Sequence, residues 1–253
     1  MFNQGRDQKI IQILQKNTRA RVSELSHWLE VSEATIRRDL DRLFELGQVQ
    51  RIHGGAILAE QAAPEQPVVQ RISENAEEKR RIGRAAAELV EEGETVFIGS
   101  GTTALEVARS LAGRKDLTVI TNAFTVIDSL SQAEGISLIS VGGFLRRSEF
   151  SFIGHITEQA LRELRPQKVI MGIRAASLED GLTNDYLPEV STDRVIIESA
   201  PEVILVADHS KFGKVSTALV APMTAIHKLV TDHQIPPHIV AGLREHGIEV
   251  LIV

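Results

Sequence analysis

Apolar positions follow two different rhythms along this chain, and the change of rhythm divides it. In the stretch VSELSHWLEVSEATIRRDLDRLFEL, residues 22–46, Val22, Leu25, Trp28 and Leu29 recur at i, i+3, i+6 and i+7, which predicts a short helix with that stripe buried. Val31-Ser32 breaks the pattern, and Ser32 is suited to accept a hydrogen bond from the free amides of a following helix. Ile36, Leu40, Leu43 and Phe44 predict that second helix and its buried face. Upstream, Ile10, Ile11, Ile13 and Leu14 within Arg6 to Lys16 predict a helix closing a three-helix core over the Trp28 stripe. Downstream, Gly47 ends the helix, and two short strands, Val49 to His53 and Ala56 to Leu58, meet at Gly54-Gly55. Ala59 to Gln70 carries two prolines and no clear period, which predicts a linker, and helical spacing resumes over Glu77 to Glu91.

From Thr95 the second rhythm takes over. Short apolar runs at 95–99, 117–121, 136–141, 168–173, 203–207, 228–231 and 249–253 predict strands. Helix-compatible segments lie between most of them, at 103–112, 125–132, 156–164, 191–199 and 237–246. Strands apolar on both faces, alternating with helices, predict an α/β domain with a mostly parallel sheet covered on two sides. The expected organisation is an N-terminal domain over 1–58, a linker over 59–75 and a larger α/β domain over 76–253.

The second helix of the N-terminal domain carries its chemistry on the face opposite the apolar stripe. At about 100° per residue that face centres on Arg38, with Thr35 and Arg42 beside it and Arg37 on the flank. Two helices across a tight turn form the helix-turn-helix device, whose second helix fits the major groove, where Arg and Thr reach base edges or phosphates. An ordinary solvated face is the competing reading, because Glu33 and Asp41 each lie four residues from Arg37. The hairpin that follows favours DNA, since it is the wing of a winged helix and sets Arg51 and His53 along its strands. Ser32, Thr35, Arg37, Arg38, Arg42, Arg51 and His53 are the expected DNA-binding residues.

Net charge alone argues the other way, at −6 overall. It is unevenly shared: residues 1–60 hold 9 Lys/Arg against 8 Asp/Glu, which leaves 19 against 26 for the remainder. DNA affinity must therefore come from placed arginines and from dimerisation. The chain has no cysteine, which excludes disulfides and thiolate metal sites. No apolar run approaches the ~20 residues of a membrane span and no signal-peptide pattern is present, so a cytoplasmic location is expected.

Parallel sheets bind ligands beyond the carboxyl ends of their strands, so the loops after the runs are where to look. After the first run come Ser100, Gly101, Thr102 and Thr103, then a helix. Glycine lets the backbone approach a ligand closely, the hydroxyls donate, and the free amides at the helix start favour an anion. A nicotinamide site would want an acidic residue after the next strand, where Thr121-Asn122 stands, and no lysine follows the glycines as in a nucleoside-triphosphate loop. A small phosphorylated ligand fits better, against the bland alternative of a glycine turn with a capped helix. Asn122, Gly142-Gly143 with Arg146, and Asp208 with Lys211 stand at further strand ends, where Lys211 or an arginine completes a phosphate site and Asp208 and Asn122 suit sugar hydroxyls. The eight histidines show no close-spaced metal pair, no serine nucleophile elbow occurs, and no cofactor is implied.

The segments SEATIRRDLDRL, RIHGGA, EEKRRIG, IGSGTTALEVA, GGFLRR, GLTN, EVSTDRVIIE and ADHSKFG resemble DeoR/GlpR-type bacterial transcriptional regulators, over essentially the whole chain. The resemblance implies a winged helix joined to a sensor domain similar to sugar-phosphate isomerases, which binds a phosphorylated sugar and changes operator affinity. By position it implies that Ser100, Gly101, Thr102, Thr103 and Lys211 hold the phosphate, with Asp185, Glu189 and Asp208 near the sugar. Two positions depart from the family pattern: Arg174 stands where Asp is common and Asp193 where Lys is common. The reversal predicts that the two side chains are partners. Two functions of different class follow, a repressor of a carbohydrate operon that acts as a dimer or tetramer, or an isomerase-like enzyme whose DNA-binding piece is autoregulatory.

Overall fold

A computed structural model of the chain describes residues 2–17, 19–45, 48–52, 54–58 and 66–253. The expectations for Gly47, for His53 and for linker residues 59–65 lie outside them.

The N-terminal domain is a winged helix. Helix α1 (Phe2–Asn17), strand β1 (Arg19–Arg21), helix α2 (Val22–Trp28) and helix α3 (Glu33–Glu45) precede the wing strands β2 (Val49–Ile52) and β3 (Gly55–Leu58). All three strands join in one antiparallel sheet, ordered β1-β3-β2. Ile10, Leu14, Leu25, Ile36, Leu40 and Leu43 are fully buried and form the core. Ser32 opens α3 as expected, its Oγ accepting from the Thr35 amide at 3.3 Å.

Two expected core residues lie outside the core. Trp28 is 48% exposed, and Phe44 is 53% exposed. Phe44 falls about 80° around the helix from Ile36, at the edge of the buried stripe. Trp28 instead lines a cleft against the second domain, with Leu178, Gly213 and His238. There Arg19 of β1 pairs with Asp180 of the second domain.

An ion-pair knot closes the winged helix. Asp39, 2% exposed, accepts from Arg6 Nη2 at 3.0 Å and from Arg42 Nη2 at 2.9 Å, and Arg42 also pairs with Asp7. Burial alone would raise the Asp39 carboxyl, but the hydrogen bonds from Arg6 and Arg42 outweigh it and hold the group below its ordinary range. A carboxyl held low in the fold contributes stability that is present above its unfolded pKa and lost as pH falls through the folded one. Asp39→Asn should therefore cost about 2 kcal/mol near neutral pH and flatten the acid limb of the stability curve. Urea unfolding followed by the fluorescence of Trp28, the chain's single tryptophan, reads both. Wild-type stability in this variant would show that the knot contributes nothing.

Residues 66–75 fall in the expected linker, yet they pack into the second domain. Helix α4 (Val68–Arg71) buries Val68 completely, and the Val68 amide donates to the Ser148 carbonyl at 2.7 Å. A single apolar anchor and one arginine carry no periodic signal, so composition alone reads this segment as loop.

The second domain opens with α5 (Ala76–Glu88) and then alternates as predicted: β4 (Thr95–Ile98), α6 (Thr102–Leu111), β5 (Leu117–Thr121), α7 (Phe124–Leu130) and β6 (Ile136–Ser140). A hairpin of β7 (Phe144–Arg146) and β8 (Ser151–Ile153) leads to α8 (His155–Glu163) and β9 (Lys168–Met171). Then come β10 (Ala175–Ser177), β11 (Gly181–Asn184), α9 (Leu187–Glu198), β12 (Glu202–Val206), β13 (Ala218–Ala221), β14 (Lys228–Thr231), α10 (Pro237–Glu245) and β15 (Glu249–Ile252). The seven predicted strands form one parallel sheet, ordered β15-β14-β12-β9-β4-β5-β6. Alternate residues serve opposite faces: Val96 and Ile98 join the core under α5 and α6, and Phe97 joins the one under α8, α9 and α10. The short strands β10, β11 and β13 form a separate antiparallel sheet.

This strand order positions the site. From β4 the chain builds outward through β5 to β6, then returns to β9 on the other side of β4 and builds the opposite way. The order therefore reverses between β4 and β9, and the crevice beyond their carboxyl ends is where such sheets bind ligands.

Candidate DNA-binding face and effector pocket

On α3 the exposed arginines differ in what holds them. Arg38 is exposed and its Nε donates weakly, at 3.3 Å, to the Ala34 carbonyl of its own helix. Arg37 pairs with Glu33 at 3.0 Å, both groups in solvent, so the pair is worth little and opens readily. Thr35 shares a hydroxyl contact of 2.9 Å with Ser32. Arg51 of the wing reaches Asp41 at 3.1 Å, bracing wing against helix. Arg42 departs from the expectation of an open face: its guanidinium turns inward to Asp7 and Asp39. Helical phase cannot see Asp7, which arrives from α1.

A pocket sits at the crevice between β4 and β9. The junction of β4 with α6 supplies Ser100 to Thr103, the loop after β9 supplies Gly172 to Arg174, and Val206 ends β12, with Ala207 and Lys211 following it. Gly101 takes φ 105°, a conformation L side chains rarely adopt, and it stands just before the first amides of α6, whose residues Thr102 and Thr103 line the crevice. Those amides have no carbonyl acceptor within the helix, so an anion is their natural partner. Lys211 ends a 3-10 turn, His209–Lys211, that Asp208 caps by accepting from the Ser210 amide at 3.0 Å.

The opposite wall is rich in acceptors. Asn184, Glu189 and Asp193 line it, and Asn184 Nδ2 donates to Glu189 at 3.2 Å and to Asp193 at 3.1 Å. Glu189 is buried and also accepts from Ser151 Oγ at 2.9 Å and from Arg146. Arg174, which lines the pocket with Asp193, donates to Asp185 at 3.3 Å. Of the expected ligand residues, the pocket thus brings together Ser100, Gly101, Thr102, Thr103, Glu189 and Lys211.

Six others do not line it. Gly142-Gly143 serves packing: a Cβ on Gly143 would come within 2.0 Å of Thr157 Oγ1, and that hydroxyl donates to the Gly142 carbonyl at 2.8 Å. Asn122 is buried and donates to the Phe152 carbonyl at 2.8 Å, fastening β8 to the sheet. Arg146 stands behind Glu189, its guanidinium 4.3 Å from the Tyr186 ring centre. Asp208, 1% exposed, lies beneath the Lys211 turn and accepts from Asn75 Nδ2 at 3.0 Å. Burial alone would raise the Asp208 carboxyl, but the Ser210 hydrogen bonds and the charges of Lys211 and Lys79 outweigh it and hold it low. Asp185 is in reach only through Arg174.

Five polar lining residues were absent from the expected ligand set. Asn184, in the GLTN segment, had a legible signal as the last residue of a strand-like motif. Arg71 and Glu149 had none, being 78 positions apart and joined only by the fold. Asp193 and its neighbour Arg174 were marked by their departure from the family pattern alone. Among the described residues, no group of His, Asp and Glu is placed to hold a metal ion, and no helix is long and apolar enough to cross a membrane.

Comparison with known proteins matches both halves of the chain. Residues 6–62 match the DeoR-like helix-turn-helix domain, and residues 74–233 the DeoR C terminal sensor domain. The transcriptional repressor AccR of Agrobacterium fabrum is 37% identical, over 92% of this chain and 91% of its own length. A putative aga operon transcriptional repressor of Escherichia coli is 35% identical, over 98% and 93%. The glycerol-3-phosphate regulon repressor of Escherichia coli is 34% identical, over 95% of each chain. Among solved structures, ribose 5-phosphate isomerase A of Methanocaldococcus jannaschii aligns at 19% identity over 55% of each chain, with a TM-score of 0.42. A winged helix with an open arginine face, joined to a sensor domain whose pocket lies at the switch point of a parallel sheet, and two family models that between them span most of the sequence, place this chain in the DeoR family of DNA-binding transcriptional regulators.

Proposed function

We propose that the protein represses an operon of carbohydrate metabolism and that a phosphorylated sugar, bound in the sensor domain, changes its affinity for operator DNA. The observation that carries this reading is the polarity of the pocket. One wall offers the α6 amides, the Thr102 and Thr103 hydroxyls and the Lys211 ammonium to an anion. The other offers Asn184, Glu189 and Asp193 to donors, which suits sugar hydroxyls. The name of the glycerol-3-phosphate regulon repressor is in keeping with a small phosphorylated effector. The N-terminal domain, only weakly basic, acts in this reading as part of a dimer or tetramer on repeated half-sites.

Isothermal calorimetry of the full chain against a panel of sugar phosphates and the matching free sugars tests the proposal. One phosphorylated compound should bind, and its free sugar should bind at least 100-fold more weakly, because three or more charged hydrogen bonds at ~1.5–3 kcal/mol each depend on the phosphate. Preference for an unphosphorylated sugar or a nucleotide would overturn it. Turnover of any sugar phosphate in the same incubation would favour an isomerase-like activity instead.

A further inference from the structure

The root of the interdomain tether stands inside the effector pocket. Nine positions, 59–67, separate the last wing strand from α4, and α4 ends at Arg71, which lines the pocket together with Ser100 to Thr103 and Lys211. The Arg71 side chain is buried, and Nη2 donates to both carboxylate oxygens of Glu149, at 2.7 and 2.5 Å. Its Nε donates to the Gln66 carbonyl at 2.8 Å, so the side chain is bonded back onto the tether itself. Its own carbonyl accepts from Lys79 Nζ at 2.7 Å. The Lys79 ammonium is buried beneath it and is pushed below the usual lysine range, first by burial, against which the charge of Asp208 acts, and then by the charges of Lys211 and Arg71. An arginine in such a position does two things: it offers a planar fork to an oxyanion in the pocket, and its partners transmit any movement of that fork to residues 66–68.

Building on the effector reading above, we propose that Arg71 is a ligand of the effector's phosphate and that this phosphate and Glu149 compete for its guanidinium, so that occupancy of the pocket resets residues 66–68 at the root of the tether. The physical cause is electrostatic. A phosphate dianion entering the pocket is attracted by Arg71 and Lys211 and repelled by Glu149, and Glu149 lies in the turn whose Ser148 carbonyl holds the Val68 amide. Shifting the guanidinium from carboxylate to phosphate loosens the grip of that turn on α4. The pocket thereby reaches the DNA-binding domain through the chain itself.

Hydrogen–deuterium exchange on the full-length protein, with inorganic phosphate as the probe and its binding followed by phosphorus NMR, tests this. In wild type, saturating phosphate should change exchange at the amides of residues 66–72 at least severalfold. The double variant Arg71→Gln with Glu149→Gln keeps an amide hydrogen bond where the ion pair was and leaves no charge unpaired. It should bind phosphate at least tenfold more weakly and show no response at 66–72, even at saturation. If that variant does not fold, Arg71→Lys, which keeps the charge but not the fork, should show weakened binding and a diminished response. Wild-type affinity and an undiminished response in the folded variant would overturn the inference, as would phosphate binding to wild type with no change at 66–72. Failure of wild type to bind phosphate or any sugar phosphate at all would strike the effector reading itself, and this inference with it.

Discussion

In the Lys211→Ala protein, a phosphorylated sugar that shifts the operator affinity of wild type should have no effect, while operator binding without the sugar stays within a few-fold of wild type. Lys211 faces the anion wall from a turn whose geometry is fixed by the Asp208 cap, so truncating it removes a charge without dismantling the loop. A charged hydrogen bond to phosphate is worth about 1.5–3 kcal/mol, so effector affinity should fall roughly ten- to hundredfold or more. Thr102→Val removes only a hydroxyl at the α6 start, keeps the shape, and should weaken the effector less. An effector acts on DNA only through its different affinities for two conformations, so a protein that cannot bind it stays in one state. Electrophoretic mobility shifts with and without the sugar phosphate would read this directly. A Lys211→Ala protein that still responds at wild-type effector concentration would remove the α6–Lys211 corner from the site. The Lys211 loop runs on through Gly213 to Val215 at the interdomain cleft, beside Arg19 and Trp28. A change in Trp28 fluorescence on effector binding, lost in the variant, would therefore accompany the loss of response.

Arg38→Ala should weaken operator binding by ~1–3 kcal/mol per half-site, roughly five- to more than a hundredfold, with a smaller loss on random DNA. Arg38 is exposed at the centre of the α3 face, and its hydrogen bond to its own helix is a weak one, so little must be broken there before it meets a base. Arg42→Ala makes the contrast. That guanidinium is already engaged by Asp7 and Asp39, so its loss should appear mainly as lowered stability of the winged helix. Fluorescence anisotropy on operator and scrambled duplexes separates the outcomes. Equal loss on both duplexes would make Arg38 a phosphate contact, and no loss on either would remove α3 from the groove.

The sequence by itself determined the two domains, the seven strands of the parallel sheet and the glycine-hydroxyl segment that opens α6 at the pocket. Each of these is written locally. A buried parallel strand is a short apolar run, a winged helix is two phased stripes followed by a glycine turn, and the segment that opens α6 is a glycine and hydroxyls before a helix. Tertiary structure alone decided where long-range partners fall. Arg42 was removed from the open face by Asp7 of another helix, and Trp28 was exposed because its neighbour is a cleft rather than a core. Gly142-Gly143 looked like a ligand loop until Thr157 was found packed against it. Arg71 and Glu149, 78 residues apart, entered the pocket from a linker and a hairpin that show no periodicity at all. Phase along a helix or strand fixes which way a side chain points, but what it meets there depends on strand order. Here that order reverses between β4 and β9, which carries the loops after both strands into one crevice.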